Sequence, residues 1–326
     1  MIIATDIGYS HTKGATDGRR VIFPSVVGEV QTAHLEALGQ GDDYLQIETD
    51  EGAWFVGQAA VEQSGMTTRR QDRKWIETPE YHALTLAAIA EITGATGVTV
   101  ELVTGLPVAY FSDHANLTAW LKQVHTVKRA GRRAQRIQIA DVIVLPQGLA
   151  AVLSEALDSQ GKIRPGPVSQ GMVGLIDIGG HTVNVATFKA LREITRQTAS
   201  IDAGMWGPVT EIGKRVNAAY PGLNLVGHEI ADAIQAGKVH FFGQDRDITG
   251  ICQDVLRPFA RQIMAVATQT WGNAARLDSL LVAGGGGEVV IPALVAEYPH
   301  ARVVSDPQWA NVNGYLRFAW RRWGKR

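Results

Sequence analysis

What the sequence lacks excludes much of the chemistry open to a chain of this size. Its single cysteine, Cys252, cannot form an intrachain disulfide and suits a reducing compartment. The nine histidines are scattered, and no Cys/His cluster has zinc spacing. No apolar run reaches the length of a membrane span. From Met1 the chain runs straight into Ile2-Ile3-Ala4 with neither a basic nor a long apolar leader, so no secretory signal is expected and the expected location is cytoplasmic. Lys and Arg number 31 against 32 Asp and Glu, a net charge of −1, so the chain has no broad electrostatic footprint for nucleic acid and any DNA role would be local or through a partner. The common nucleotide signatures are missing too. Gly284-x-Gly286 has Val289 where the dinucleotide fingerprint needs its third glycine. Gly213-Lys214 and Gly237-Lys238 have Pro208 and Asp232 where a P-loop begins, and there is no G-x-S-x-G elbow.

What is present is ordinary globular material. A hydrophobic share of 45% over 326 residues is enough for two cores. Residues 1–6 read as a short buried strand, and Asp17-Gly18 as a hairpin turn before Val21-Ile22-Phe23. Further turns are expected at Gly39-Gln40-Gly41 and Glu51-Gly52, and an exposed basic loop at Met66 to Lys74. Thr78-Pro79 starts a helix that Gly94 can stop. The strand after it is expected to end in a sharp loop, Thr104-Gly105-Leu106-Pro107, and Ser112 to cap the next helix. A hairpin near Ala130-Gly131 carries Lys128, Arg129, Arg132, Arg133 and Arg136 as basic tips. Strands at 172–177 and 182–188 flank a glycine turn, followed by helices near 208–219, 227–236 and 247–275. Pro258 predicts that the last is kinked or divided.

The chemistry resides in a repeat. Residues 6–16 read D-I-G-Y-S-H-T-K-G-A-T and residues 177–187 read D-I-G-G-H-T-V-N-V-A-T, a spacing of 177 − 6 = 171 residues. That period is far too long for a solenoid, so the simple reading is a duplicated domain. Each copy is strand, acidic residue, glycine turn, strand. Glycine lets the backbone come close to a ligand, and successive N–H groups around such a turn suit phosphate oxygens. Asp6 and Asp177 stand at strand ends, where ligands of α/β sheets bind. A carboxylate repels phosphate, but it can hold hydrated Mg²⁺ or orient an attacking water. Ser10 and Lys13 add a hydroxyl and a charge to one hairpin, and His181 and Thr182 add donors to the other. Gly284 to Gly287, after the strand Leu280 to Ala283, either approach a planar base or sugar or make a tight strand-to-helix turn.

The ordered set Asp6-Gly8, Pro146-Gln147-Gly148, Asp177-Gly179-Gly180 and Gly284–Gly287 resembles the superfamily of actin, sugar kinases and heat-shock ATPase chaperones. Within it, Val103-Thr104-Gly105-Leu106-Pro107, the loop Gly285-Gly286-Gly287-Glu288 and the total length resemble the ParM/StbA plasmid-segregation actins and their archaeal relatives. The resemblance implies an α/β fold of two related actin-like (ribonuclease H-like) domains with a nucleotide cleft between them, spanning 1–145 plus 308–326 and 146–307. It implies that Asp6 binds Mg²⁺ through water, and that Gly8, Tyr9, Ser10 and Lys13 hold the β-phosphate and its neighbours. Asp177, helped by Gln147, would position or activate the attacking water, and Gly179, Gly180, His181 and Thr182 would wrap the γ-phosphate. Gly284, Gly285, Gly286 and Gly287 would face adenosine, with Glu211 or Lys214 reaching the ribose or base. The implied ligand is ATP, or GTP, with Mg²⁺. The implied activity is nucleoside triphosphate hydrolysis coupled to self-assembly into filaments, for plasmid or other DNA segregation through a separate DNA-binding adaptor. A small-molecule kinase and a non-polymerising nucleotide-gated scaffold stay open as alternatives. The basic aromatic end, Phe318 to Arg326, is either a solvated helix end with packed tryptophans or a contact for adaptor, membrane or DNA.

Overall fold

A computed structural model describes residues 1–30, 45–64, 73–94 and 96–324. The expected turn at Gly39-Gln40-Gly41 and most of the expected loop at Met66 to Lys74 lie outside them. The chain divides into two compact units, Met1–Pro165 with Trp309–Arg326, and Gly166–Gln308. Residues 146–165 thus fall in the first unit.

The first unit starts with three antiparallel strands, β1 (Ile2–Ile7), β2 (His11–Thr16) and β3 (Arg19–Pro24). Gly18 makes the β2–β3 turn with φ +76°. Then come β4 (Val27–Glu29), β5 (Gln46–Thr49), β6 (Gly52–Val56) and α1 (Gln58–Gln63). Helix α2 (Pro79–Thr93) is bounded as its sequence signals predict. The Thr78 hydroxyl accepts from the Tyr81 N–H, Pro79 sits in the first turn, and Gly94 ends it in a left-handed conformation. Next are β7 (Gly97–Leu106), α3 (His114–Leu121), β8 (Val124–Arg129), β9 (Gln135–Pro146) and α4 (Leu149–Ala156). Among the described residues the strands form one nine-stranded sheet in the order β3-β2-β1-β7-β9-β8-β5-β6-β4.

The second unit holds α5 (Pro167–Gln170), β10 (Met172–Ile178), β11 (Val183–Lys189), β12 (Arg192–Glu193), β13 (Ala199–Ile201), α6 (Trp206–Ala219) and α7 (Gly227–Ala236). It continues through the hairpin β14 (Lys238–Phe241) and β15 (Gln244–Asp247), then α8 (Thr249–Trp271), β16 (Ser279–Ala283), α9 (Gly287–Glu297) and β17 (Ala301–Val303). Helix α10 (Ala310–Trp323) returns the chain to the first unit.

The sheets bear out the repeat strand by strand. In the first unit, β3-β2-β1 are antiparallel, and β7 and β9 then run parallel to β1. In the second, β12-β11-β10 are antiparallel, and β16 and β17 run parallel to β10. Each unit has its own apolar core, around Ile3, Leu84, Ile89 and Leu102 in one and Ile176, Val185, Ile263 and Leu280 in the other.

Several local expectations are corrected. Residues 104–106 are not a loop but the last residues of β7. Gly105 is there because a side chain would collide with the Tyr315 hydroxyl of α10, 1.7 Å from its Cβ position. Ser112 does not cap α3; Val108–Asp113 forms a 3₁₀ turn and Asp113 precedes the helix without a side-chain cap. Arg129 is not a solvated basic tip but a buried residue paired with Glu91. Pro258 does not divide α8, which runs continuously through it. At the chain end, Trp323 is buried in the first unit.

Candidate functional site

Within each unit, predicted positions lie at the carboxyl ends of parallel strands, the usual ligand edge of an α/β sheet. In the first unit Asp6 is near the end of β1, Gly8 follows that strand and Gln147 follows β9; in the second Asp177 is near the end of β10, Gly179 follows that strand and Gly284 follows β16.

In the first hairpin Asp6 lies directly across from Lys13, and the Gly8 N–H donates to the His11 carbonyl at 3.1 Å. Ser25 backs the tip. Its hydroxyl donates to the Gly8 carbonyl at 2.6 Å and lies 2.9 Å from that of Thr12, while its N–H donates to the Ser10 carbonyl at 2.9 Å. The C=O and N–H of a trans peptide point in opposite directions. Anchoring the Gly8 carbonyl on Ser25 therefore turns the Tyr9 N–H outward.

Asp6 is only 4% exposed. The Gln147 side-chain amide donates to its Oδ1 at 3.1 Å, and Lys13 Nζ lies 3.8 Å from Oδ2. Burial pushes the Asp6 carboxyl above the usual carboxylate range, and the Lys13 charge and the hydrogen bonds from Gln147 and Lys13 pull it partly back.

The second hairpin repeats this backbone. Asp177 lies across from Asn184, and the Gly179 N–H donates to the Thr182 carbonyl at 3.0 Å. Its backing differs. The N–H groups of Met205, Trp206 and Gly204 donate to the carbonyls of Gly179, Gly180 and His181 at 3.0, 2.8 and 2.7 Å. Three successive carbonyls are thus held by the start of α6, so the N–H groups of Gly180, His181 and Thr182 all turn the other way. Successive N–H groups turned the same way are the kind of backbone arrangement that can accept an anion. Gly204 makes the approach possible, because its Cβ position is 2.4 Å from the Gly180 carbonyl. His181 Nε2 pairs with Asp202 at 2.9 Å, and Asp177 is buried.

The glycine run divides in two. Gly284 has φ +84° and its Cβ position is 2.3 Å from the Ile178 carbonyl and 2.8 Å from Asp177 Oδ1; Gly286 is similarly crowded by Ile178 and Met205. These two glycines let the strand-to-helix turn pack on the end of β10. Gly285 is exposed and its Cβ position meets open space, while Gly287 begins α9. Both Glu211 and Lys214 ride on α6; Lys214 is exposed, and Glu211 pairs with Arg215 one turn on at 2.8 Å.

Sequence reasoning missed Ser25, Gly204 and Tyr81. The Tyr81 hydroxyl is buried on α2 without a hydrogen-bond partner among the described residues. Burial pushes it well above the ordinary phenol value, with added repulsion from Asp6 and Tyr9. The capping signal at Thr78 places Tyr81 in the first turn of α2 but says nothing about Asp6.

Two family matches cover most of the chain. Residues 4–149 match the N-terminal domain of actin like proteins, and residues 175–296 match the C-terminal domain of the archaeal actin homologue MreB-like family. The chain is an actin-like protein. Solved structures agree in fold. The archaeal actin homologue Ta0583 matches with a TM-score of 0.82 at 24% identity over 98% of this chain and 99% of that one. Its ADP complex matches at 0.79 and 22%, with the same coverage. A ParM from a 15-stranded filament of Clostridium botulinum matches at 0.75 and 22%, over 98% of this chain and 99% of that one. No curated protein matches this actin-like chain by sequence.

Proposed function

We propose that this actin-like protein binds and hydrolyses a nucleoside triphosphate and assembles with copies of itself into nucleotide-dependent filaments. The observation that carries the reading is the duplicated hairpin: each copy sets a buried carboxylate behind a turn whose N–H groups face outward. One hairpin offers the Tyr9 N–H, Ser10 and Lys13 to the β-phosphate region, and the other offers the N–H groups of Gly180, His181 and Thr182 to the γ-phosphate. Gly285 is the member of the glycine run best placed to let a nucleoside approach the backbone. Glu211 and Lys214 are further candidates for the ribose or base.

Asp6 fits a hydrated divalent cation. It is a buried carboxylate whose negative form lacks compensation beyond Lys13 and Gln147, and Mg²⁺ keeps several waters while binding through one or two carboxylates. Bound there, the ion would neutralise charge on the phosphate oxygens. Asp177 accepts a proton from the attacking water, and Gln147 helps to position that water while its amide holds Asp6. The likeness to a ParM solved as a filament and to an archaeal homologue solved with ADP supports self-assembly and nucleotide binding. Segregation of plasmid or other DNA through a DNA-binding adaptor is the cellular role we infer, and the net charge of −1 agrees with indirect contact to DNA.

Sedimentation and phosphate release with ATP, GTP, ADP or no nucleotide test the proposal. Pelleting that depends on triphosphate, followed by phosphate release and disassembly, is the expected result. Absence of any nucleotide-dependent pelleting would refute assembly, and ADP formation only on adding a sugar, with the phosphoryl group carried on the sugar rather than released, would make the protein a kinase.

A further inference from the structure

The first unit contains a recess lined by none of the residues assigned above. It has a volume of about 230 Å³ and lies between the β5–β6 turn, α2 and the α3–β8 junction. That is below the usual 300–1,000 Å³ of small-molecule pockets, and suits a single small group. Its walls have two characters. Leu86, Trp120 and Val124 are apolar, while Asp50 and Glu51 bring two carboxylates.

The recess is more than an acidic cluster, because two histidines organise it. His82 Nδ1 lies 2.8 and 2.9 Å from the two Glu51 oxygens and donates to them, and its ring stacks on Trp120 at 3.7 Å between centroids. Glu51 is thereby held in place, with lone pairs left for another donor. His125 is 8% exposed, and its Nε2 bonds the Leu121 carbonyl at 3.1 Å. A carbonyl can only accept, so Nε2 carries the proton. Burial holds the His125 pKa below its usual value, which keeps the ring neutral. Nδ1 is then an acceptor to which no described residue donates, in a side chain that lines the recess.

We infer that this recess binds a primary alkylammonium group, with Glu51, Asp50 and His125 Nδ1 accepting its three N–H bonds and Leu86, Trp120 and Val124 enclosing its stem. An ammonium has three donors and no acceptor, which matches a wall that offers acceptors and negative charge. An anion would meet two carboxylates. The ammonium could be that of a free amine or of a lysine side chain in a polypeptide.

The test titrates the full-length protein with butylammonium and follows the Trp120 indole N–H by NMR, assigned through Trp120→Phe. A saturable shift with a Kd in the range of about 1 mM is expected, and 1-butanol, which has the stem without the charge, should give none. Asp50→Asn, which leaves the His82–Glu51 pair intact, should weaken binding about threefold, and Glu51→Gln about tenfold or more. Equal shifts with butanol and butylammonium, no shift up to about 50 mM, or unchanged affinity in both variants would overturn the assignment. Nα-acetyl-lysine methylamide forms the second arm. Binding at least as tight as butylammonium assigns the site to a lysine side chain, and binding of butylammonium alone assigns it to a free amine.

Discussion

The two hairpins share a backbone and differ in what stands behind it. In the first, a single serine holds the tip, and the buried carboxylate faces a lysine. In the second, the start of a helix holds three successive carbonyls, and the carboxylate faces a neutral asparagine. The turn is thus the same in both copies while its surroundings differ. On the proposed reading Asp6 is a buried carboxylate whose negative form, only partly offset by Lys13 and Gln147, a bound cation would stabilise. Asp177 lies across the strand pair from the neutral Asn184, and on the same reading it is the group that takes up a proton. The N–H series of the second turn is also the longer one, and on the proposed reading it meets the γ-phosphate.

The largest test of this division is Asp177→Ala. General base catalysis contributes about 10²–10⁴-fold, so phosphate release should fall by at least about 100-fold while triphosphate binding persists. Turnover near the wild-type rate would remove the role assigned to Asp177 and with it the asymmetry.

Next in size is a stability effect. Gly204→Ala puts a methyl group 2.4 Å from the Gly180 carbonyl carbon and oxygen, where only backbone can yield. Overpacking of this kind costs about 1–3 kcal/mol. Gly8→Ala meets only its own turn's carbonyl, His11, at 3.1 Å, at an ordinary backbone angle, and should cost about 1 kcal/mol or less. Urea unfolding of both variants measures the difference. Equal losses would mean that the α6 start does not clamp the second tip as described.

Asp6 permits a test through pH. Its folded-state pKa is raised, so between the unfolded and folded values the folded chain binds more protons than the unfolded one. Stability from this group is thus complete below the unfolded pKa and is lost as pH rises through the folded one. Asp6→Asn removes the penalty. In thermal melts without nucleotide it should equal or exceed the wild type at pH 7, and the advantage should shrink on acidification. With nucleotide and Mg²⁺ the order reverses, because a ligand at about 100 times its Kd stabilises by about 2.7 kcal/mol and the variant binds it less well. A variant destabilised at pH 7 yet fully stabilised by Mg²⁺ and nucleotide would contradict both the burial argument and the metal role.

How much of this was legible beforehand depends on where the deciding partners lie in the chain. The hairpins were legible because each is local: Asp, Gly and two flanking strands lie within eleven residues, and the second copy confirms the first. The bounds of α2 were legible for the same reason, since Thr78, Pro79 and Gly94 act on their own helix. Ser25 was not, because it reaches the first tip from 17 residues away and no spacing marks it. Gly105 and Pro107 looked like a loop because both are local breakers, yet the glycine answers to Tyr315, which arrives from the far end of the chain. Arg129 looked like a solvated charge because alternation in a strand tells which residues share a face, not that Glu91 on α2 waits beneath it.

The smallest expected effect concerns the pair His181–Asp202. Asp202 is 79% exposed, so water screens the contact, and exposed pairs of this kind contribute about 0–1 kcal/mol. The three backbone bonds from Gly204, Met205 and Trp206 remain when Asp202 is removed. Asp202→Ala should therefore change unfolding by less than about 1 kcal/mol while leaving the N–H groups of Gly180, His181 and Thr182 facing outward. A loss above about 2 kcal/mol, comparable to Gly204→Ala, would show that a side-chain ion pair orients the second turn. The two hairpins would then be alike in kind, each held by one side chain, and the contrast between them would reduce to Lys13 against Asn184.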